Sequence, residues 1–165
     1  MSDQPKPRQR PLSFIAPIKG VDEVSVQENY KKLSALIANV GPAGLNDVGT
    51  VHFGNFLFLE PATGSDGTQY YKKFALFTFY DGKFETYVKD FALKVGNTFN
   101  ALLQYLDDVP EDLIPVQQNI EDFADYIEKY DQPVAKWYTA YPNKIVKEIT
   151  NPVQGVTANL EEEDS

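Results

Sequence analysis

Two aromatic segments, 50–60 and 70–80, constrain the fold more than any other part of the chain. The stretch between them contains Gly64, Asp66 and Gly67, which are typical residues of tight turns between antiparallel strands. Both segments are rich in the aromatic and β-branched residues that strands favour. The pattern therefore predicts a β-hairpin.

The first strand of this hairpin is apolar on both of its faces. One face carries His52, Phe56 and Phe58, and the other carries Val51, Phe53, Leu57 and Leu59. An antiparallel sheet with helices on one side normally has a polar second face. The pattern therefore predicts that something besides the helices covers the second face.

The spacing of apolar residues changes from two to about 3.6 after Asp81-Gly82, which predicts a long helix from Phe84 to Leu106. One helical face carries Phe84, Tyr87, Val88, Phe91, Val95, Phe99, Leu102, Leu103 and Leu106. Such a continuous stripe indicates a helix that packs against a core.

A strand followed by a helix is predicted before the hairpin. Apolar residues alternate over 12–18, although Pro17 favours the edge or end of a sheet. Ser25 and Glu28 have the spacing of a helix capping box, and the apolar stripe that follows ends at Gly41-Pro42. That stripe consists of Val26, Tyr30, Leu33, Ile37 and Val40.

A helix, a strand and a short amphipathic segment are predicted after the long helix. Asn119 is placed to cap a helix that extends to Tyr130. Pro133 separates this helix from 135–142, which predicts the last strand. The segment 144–149 then has an amphipathic pattern.

The order of these elements predicts an α+β protein with a ferredoxin-like, four-stranded antiparallel sheet and helices on one face. Two such sheets packed face to face across a twofold axis would bury the apolar second face. We therefore expect a homodimer, a dimeric α/β barrel that encloses an aromatic-lined cavity. The alternative is a monomer whose loops 41–49 and 107–118 fold over the sheet.

Charge and composition predict one folded domain at 12–150 between two charged tails. The chain has 165 residues, with 42% hydrophobic and 13% aromatic residues, enough for one core. Residues 1–11 are basic and 151–165 are acidic, and both are predicted to be disordered tails.

The net charge of −9 disfavours a nucleic-acid partner, because an acidic surface repels phosphates. No apolar run approaches the ~20 residues that cross a bilayer, so no membrane partner is expected. The absence of cysteine fits a reducing compartment, and we expect a cytoplasmic protein.

His52 is the only histidine, and no cysteine is present. This excludes metal cages made of Cys and His, iron–sulfur clusters and thiol nucleophiles. A single imidazole could still bind a haem, act as a base or form a structural hydrogen bond. No metal ligand is predicted unless His52 binds a haem.

Three stretches, TVHFGNFLFLE, FALFTFYDGKFETYVKDF and KWYTAYPNKIVKEI, resemble the dimeric α/β-barrel superfamily in order and separation. More narrowly, they are similar to stand-alone bacterial peroxidase-like proteins distantly related to dye-decolorizing peroxidases. The resemblance covers about residues 12–150 and implies the fold. It leaves the chemistry open, because the superfamily includes haem peroxidases, cofactor-free monooxygenases and proteins that only bind or assemble.

The resemblance places His52 at the family's strand histidine and Tyr80-Asp81-Gly82 at its strand-to-helix turn. Tyr138, Tyr141 and Pro142 fall on the motif of its last strand. Where such proteins usually have a small residue and an arginine after His-Phe, this chain has Gly54-Asn55.

The resemblance does not favour haem binding by His52. In the haem-binding relatives the haem histidine extends from a helix, whereas His52 lies in a predicted strand, and the arginine is missing. A structural hydrogen bond is the preferred role of His52, followed by a base, with haem ligation last. No cofactor is favoured.

Three functions remain open. The first is a peroxidase-like small-molecule binding protein or oxidoreductase with an apolar pocket near His52. The second is a cofactor-independent monooxygenase or isomerase with His52 as base, acting on an aromatic or polyketide-like molecule. The third is a non-catalytic module for ligand binding or assembly. The candidate ligand-binding residues are Asn55, Phe56, Phe58, Tyr80, Trp137, Tyr138 and Tyr141.

Asp81 and Glu85 are the nearest pair of carboxylates in the sequence. They are interpreted as acidic residues that stabilise a helix N-terminus.

Overall fold

A three-stranded antiparallel sheet with helices packed on one face makes up residues 8–151, the part of the chain that the computed structural model describes. In chain order the elements are β1 (Gln9–Pro17), α1 (Glu23–Ala38), α2 (Ala43–Val48), β2 (Val51–Thr63), β3 (Gln69–Asp81), α3 (Phe84–Leu103), a 3₁₀ turn (Val116–Gln118), α4 (Ile120–Tyr130) and α5 (Val146–Thr150). The predicted α+β class is confirmed.

The predicted hairpin forms from β2 and β3, and β3 is the central strand in the order β1-β3-β2. At the turn, the backbone N–H of Thr68 donates to Asp66 Oδ1 over 2.9 Å, and Gly67 has a φ of +80°. Hydrogen bonds from the backbone and from the side chain of Thr68 lower the pKa of Asp66. A left-handed φ is readily adopted by glycine, so the turn chemistry read from the sequence holds.

The predicted fourth strand at 135–142 does not form, because this segment has no regular secondary structure. The chain does begin to follow the outer edge of β1. Asp131 forms an isolated antiparallel bridge with Phe14, and the Gln132 N–H donates to the Ser13 carbonyl over 2.8 Å.

Proline explains why this pairing does not continue. Pro133 follows directly and has no N–H to donate to β1. The chain returns to the start of β1 at 141–144, where the Arg8 N–H donates to the Pro142 carbonyl over 3.0 Å and the Gln9 side chain donates to the Tyr141 and Lys144 carbonyls. Between these contacts and Gln132 the segment 133–140 leaves the edge of the sheet.

The core lies between the sheet and the three long helices α1, α3 and α4, all on one face, as predicted. Phe14, which is 1% exposed, has its ring within 6.5 Å of Phe74, 6.0 Å of Tyr126 and 6.1 Å of Tyr130, measured between centroids. Contacts of this kind join β1, β3 and α4. Burial of apolar side chains such as these is the main stabilising contribution to the fold.

The long helix α3 forms as predicted but ends at Leu103, three residues before the expected end at Leu106. It also contains an irregular residue, Val95, with φ −126° and ψ 17°. Gly44 of α2 lies against this point, and a Cβ added to Gly44 would come within 2.6 Å of Val95 Cγ1. The small residue thus allows α2 to pack closely on α3.

Helix α1 begins earlier than predicted, because Asp22 rather than Ser25 is the capping residue. The Ser25 N–H donates to Asp22 Oδ1 over 2.8 Å, and Asp22 N–H donates to Ser25 Oγ over 3.1 Å. The backbone and side chain of Ser25 lower the pKa of Asp22. The reciprocal pair is a capping box shifted by three residues from the predicted one.

Two further differences concern loops and caps. The segment 41–49, predicted as a loop, contains the six-residue helix α2. Asn119 occupies the predicted cap position of α4, but its side chain forms no cap hydrogen bond and instead donates to the Leu113 and Pro115 carbonyls. These bonds lie within the 113–119 loop, and the Val116 N–H, which donates to Asn100 Oδ1 over 2.9 Å, joins the loop to α3.

The sheet face that points away from the helices, called the open face below, is only partly covered. By register and alternation its side chains include Pro11, Ser13, Ile15, Pro17, Phe53, Asn55, Leu57, Leu59, Lys73, Ala75, Phe77 and Phe79. Trp137 packs against Phe79 with ring centroids 5.4 Å apart, whereas Phe53 is 71% exposed and Leu57 is 36% exposed.

The covering segment differs from the alternative considered above. Loops 41–49 and 107–118 pack chiefly against the helices, and the segment 132–142 supplies the contact with the open face. Part of the apolar surface that the sequence predicts is therefore shielded by the chain itself.

Of the predicted tails, residues 1–7 and 152–165 lie outside the described residues. Strand β1 begins at Gln9, inside the predicted basic tail 1–11. Among residues 8–151 there is no helix that is both long and apolar enough to span a membrane.

Candidate functional site

A cavity of about 850 Å³ lies where β2 begins and β3 ends. Val51, His52 and Phe53 of β2 and Phe79 of β3 form one side. Residues of α2 and of the segment 138–151 form the others. Ligand pockets typically occupy about 300–1,000 Å³, so the cavity has the size of a small-molecule site.

His52 is paired with Asp81 in the wall of this cavity. The His52 Nε2 and Asp81 Oδ1 atoms are 2.7 Å apart, and each side chain is only 9% exposed. A carboxylate can only accept, so Nε2 carries the hydrogen and donates it to Asp81. The pair is a nearly buried hydrogen bond between an imidazole and a carboxylate.

This pairing fixes the state of the other ring nitrogen. A neutral imidazole with hydrogen on Nε2 has a lone pair on Nδ1. Within residues 8–151 no side chain or backbone group is hydrogen-bonded to His52 Nδ1. His52, which lines the cavity, therefore keeps one ring nitrogen that has no hydrogen-bond partner among the described residues.

An irregularity in β2 determines the face on which His52 lies. The pairing with β3 shifts between Val51 and Phe53, so that Val51 is opposite Tyr80 and Phe53 is opposite Phe79. His52 is the extra residue of this bulge. Bulges redirect side chains, and here the imidazole lies beside Asp81.

Asp81 also holds the far wall of the cavity. Its second oxygen, Oδ2, accepts a 2.7 Å hydrogen bond from the Val146 N–H at the start of α5. One carboxylate thus orients the imidazole and anchors the segment that faces it. Substituting Asp81 would disturb both contacts at once.

Gln9, the first residue of β1, is hydrogen-bonded to the same wall. Its side-chain Nε2 donates to the Tyr141 carbonyl and to the Lys144 carbonyl, each over 2.6 Å. The two bonds fix the orientation of the amide, because both donor hydrogens are used. Gln9 Oε1 is buried without a partner in the described part of the chain.

Few charged groups lie at the cavity. Arg8 and Glu148, which do not line it, form an exposed 3.1 Å ion pair between the start of the described chain and α5. The Ile145 N–H and then Arg8 lower the pKa of Glu148. Lys147 is the one basic residue that lines the cavity within residues 8–151, and it is exposed.

Three of the predicted site residues come together here. His52, Tyr138 and Tyr141 line the cavity, and the tyrosines are 86% and 61% exposed. Trp137 packs on Phe79, a lining residue, and so supports the wall from behind.

The other four predicted site residues lie elsewhere. Phe56 and Phe58 point toward the helices, and Phe58 packs on Tyr30 of α1 at 5.0 Å between ring centroids. Tyr80 is buried and stacks on Tyr87, and Asn55 lies on the open face. The prediction placed His52 on the same face as Phe56 and Phe58, but the bulge separates them.

Sequence reasoning missed Asp81 as a site residue and assigned it to the helix N-terminus with Glu85. A signal was available in the predicted hairpin. Counting back equally along both strands from the turn at 64–67 puts His52 opposite the end of β3. An acid at that end lies within reach of the imidazole.

The residues around His52 do not fit a haem. Asp81 is hydrogen-bonded to Nε2, the ring nitrogen farther from the main chain, so an iron could bind this nitrogen only if the pair separated. The cavity-lining residues of the described chain include no arginine. Within residues 8–151 no three Asp, Glu or His side chains cluster as metal ligands either.

Comparisons with known proteins identify no relative: no family model, curated protein or solved structure matches this chain.

Proposed function

We propose that the protein binds a flat, largely apolar small molecule in the cavity beside His52 and exchanges a proton with it. The observation that carries this proposal is the His52–Asp81 pair, with its 2.7 Å hydrogen bond, in the wall of an 850 Å³ cavity. Phe53, Phe79 and Tyr138 offer aromatic surface to a ring.

The chemistry of the pair is that of a general base. A ligand O–H or acidic C–H that reaches Nδ1 gives its proton to that nitrogen and becomes an oxyanion or enolate. The imidazolium that results is stabilised by Asp81 on its other side. This arrangement requires no cofactor and favours the cofactor-independent function over the haem peroxidase.

The proposal is tested with 4-nitrophenol, a flat phenol whose anion absorbs visible light. We expect the wild-type protein to lower the pKa of the bound phenol by about 1 to 3, since a cation forms within a few ångströms of it. His52→Ala should remove this effect. Titrating the absorbance of the bound probe against pH measures it.

Two variants serve as controls for that titration. Phe53→Ala should weaken binding without changing the pKa of the bound phenol, because it removes aromatic surface only. Leu93→Ala, 53% exposed on α3, should leave both quantities unchanged. Equal values in wild type and His52→Ala would exclude the proton transfer, and no saturable binding would exclude the site.

We also propose that two copies associate through the open face and the β2 edge, which extends the α+β fold to a dimeric α/β barrel of ferredoxin-like descent. The strand order β1-β3-β2, with Asp131 bridged to the outer edge of β1, supports a sheet whose last strand is irregular. Residues 51–59 of the edge strand contain no charged Asp, Glu, Lys or Arg. Charge-free edges and exposed apolar patches favour association.

Sedimentation should therefore give twice the chain mass of 18.6 kDa at micromolar concentration. Leu57→Glu should shift the protein to a single chain, because it buries a charge in the contact. Val24→Glu, at a 59% exposed position on α1, is the control and should leave the mass doubled. A wild-type mass of one chain would overturn this proposal.

A further inference from the structure

A second cavity of about 370 Å³ lies on the helix side of the sheet. It is enclosed by the end of α1, by α2, by β2 and by α3, and its apolar wall includes Leu36, Phe56, Phe91, Val95, Phe99 and Leu102. Asn39 and Thr98 supply its polar side chains, and none of its lining residues is charged. Its chemistry suits a hydrocarbon.

The two cavities share one lining side chain. Leu45 of α2 lines both of them. It lies over Gly54 of β2, where an added Cβ would be 3.8 Å from Leu45 Cδ1. Because Gly54 has no side chain, Leu45 can lie directly over the strand at this point.

The two cavities differ in polarity in a way that matches one amphipathic molecule. The first has His52, Thr139 and Lys147 among its lining residues, in addition to its aromatic side chains. The second offers apolar surface almost throughout. A molecule with an ionisable ring and a hydrocarbon tail would place the ring at His52 and the tail beyond Leu45.

We propose that the ligand is such an elongated molecule, an aromatic or enolic head with an unbranched alkyl tail, and that its tail occupies the second cavity. The inference rests on the proposed binding function and adds the class of ligand. The tail passes between α2 and β2 by displacement of Leu45. The short helix α2 lies between Gly41 and Gly49, and Gly49 adopts a left-handed φ of +70°.

The test measures the affinity of 4-alkylphenols with tails of two to eight carbons, kept below the concentration at which they aggregate. Each methylene that enters an apolar cavity should raise the affinity about fourfold, or ~60-fold over three methylenes. Thr98→Trp, which fills the second cavity from α3, should abolish this dependence, so that short and long phenols bind with about equal affinity.

Further variants separate the possible results. Val40→Trp fills the same cavity from a different element and should have the same effect as Thr98→Trp. The test therefore still holds if one of the two variants folds poorly. Leu93→Trp, at an exposed position on α3, is the matched control and should keep the dependence on tail length. His52→Ala should also keep it, since it alters only the head.

The result that overturns this inference is distinct from failure of the binding function. If short phenols bind but the affinity does not rise with tail length, the tail does not enter the second cavity. The same conclusion follows if the affinity rises as steeply in Thr98→Trp and Val40→Trp as in the wild-type protein. If no phenol of any length binds, the proposed function itself is wrong.

Discussion

Leu103→Ala is expected to lower the free energy of unfolding by about 2–5 kcal/mol. Leu103 is 1% exposed near the C-terminal end of α3, in the core between helix and sheet. Truncation removes buried methyl groups and leaves a cavity that the packed core around it cannot fill completely. Urea denaturation followed by circular dichroism gives the value.

The same helix supplies a matched control. Leu93 is the same residue type but is 53% exposed, so Leu93→Ala should change the free energy of unfolding by less than about 0.5 kcal/mol. If the two substitutions had similar effects, the predicted face of α3 would not be the one that packs on the sheet.

Removing the hydroxyl of Tyr87 or that of Thr78 is expected to destabilise the protein by about 1–3 kcal/mol. Thr78 Oγ1 and the Tyr87 hydroxyl oxygen are 2.6 Å apart, and both residues are buried. Burial raises the pKa of the Tyr87 hydroxyl, which therefore stays neutral. Either Tyr87→Phe or Thr78→Val leaves a buried polar group without a partner.

The double variant tests whether the two hydroxyls act as one unit. Thr78→Val combined with Tyr87→Phe removes both polar groups, so its destabilisation should be smaller than the two single effects added together. Urea denaturation of the four proteins in this cycle gives the coupling. Strict additivity would show that the hydroxyls are satisfied independently of each other.

The hairpin and α3 could be predicted from the sequence because their apolar periods are long and uninterrupted. The turn at Gly67 and the stripe through Phe91 and Leu102 leave few alternatives. The last strand could not be predicted in the same way. The apolar pattern of 135–142 resembles a strand, but Pro133 ends the pairing with β1 before that segment begins.

The candidate site was predicted in part for a related reason. Tyr138 and Tyr141 line the cavity as expected, although they do so from an irregular segment. His52 lines the cavity, but its predicted neighbours Phe56 and Phe58 do not, because a single-residue bulge reverses the face of a strand and leaves no mark in the pattern of apolar residues. Its partner Asp81 follows from pairing across the hairpin.

The wall at 138–151 has a further consequence for how a ligand would enter and leave. Helix α5 contains no buried residue, and polar bonds from Gln9, Asp81 and Arg8 hold this wall in place. A segment attached in this way opens locally at a lower free energy than global unfolding requires. Exchange of the proposed ligand would therefore require only this wall to open, with the loss of a few hydrogen bonds, while the sheet and its helices stay folded.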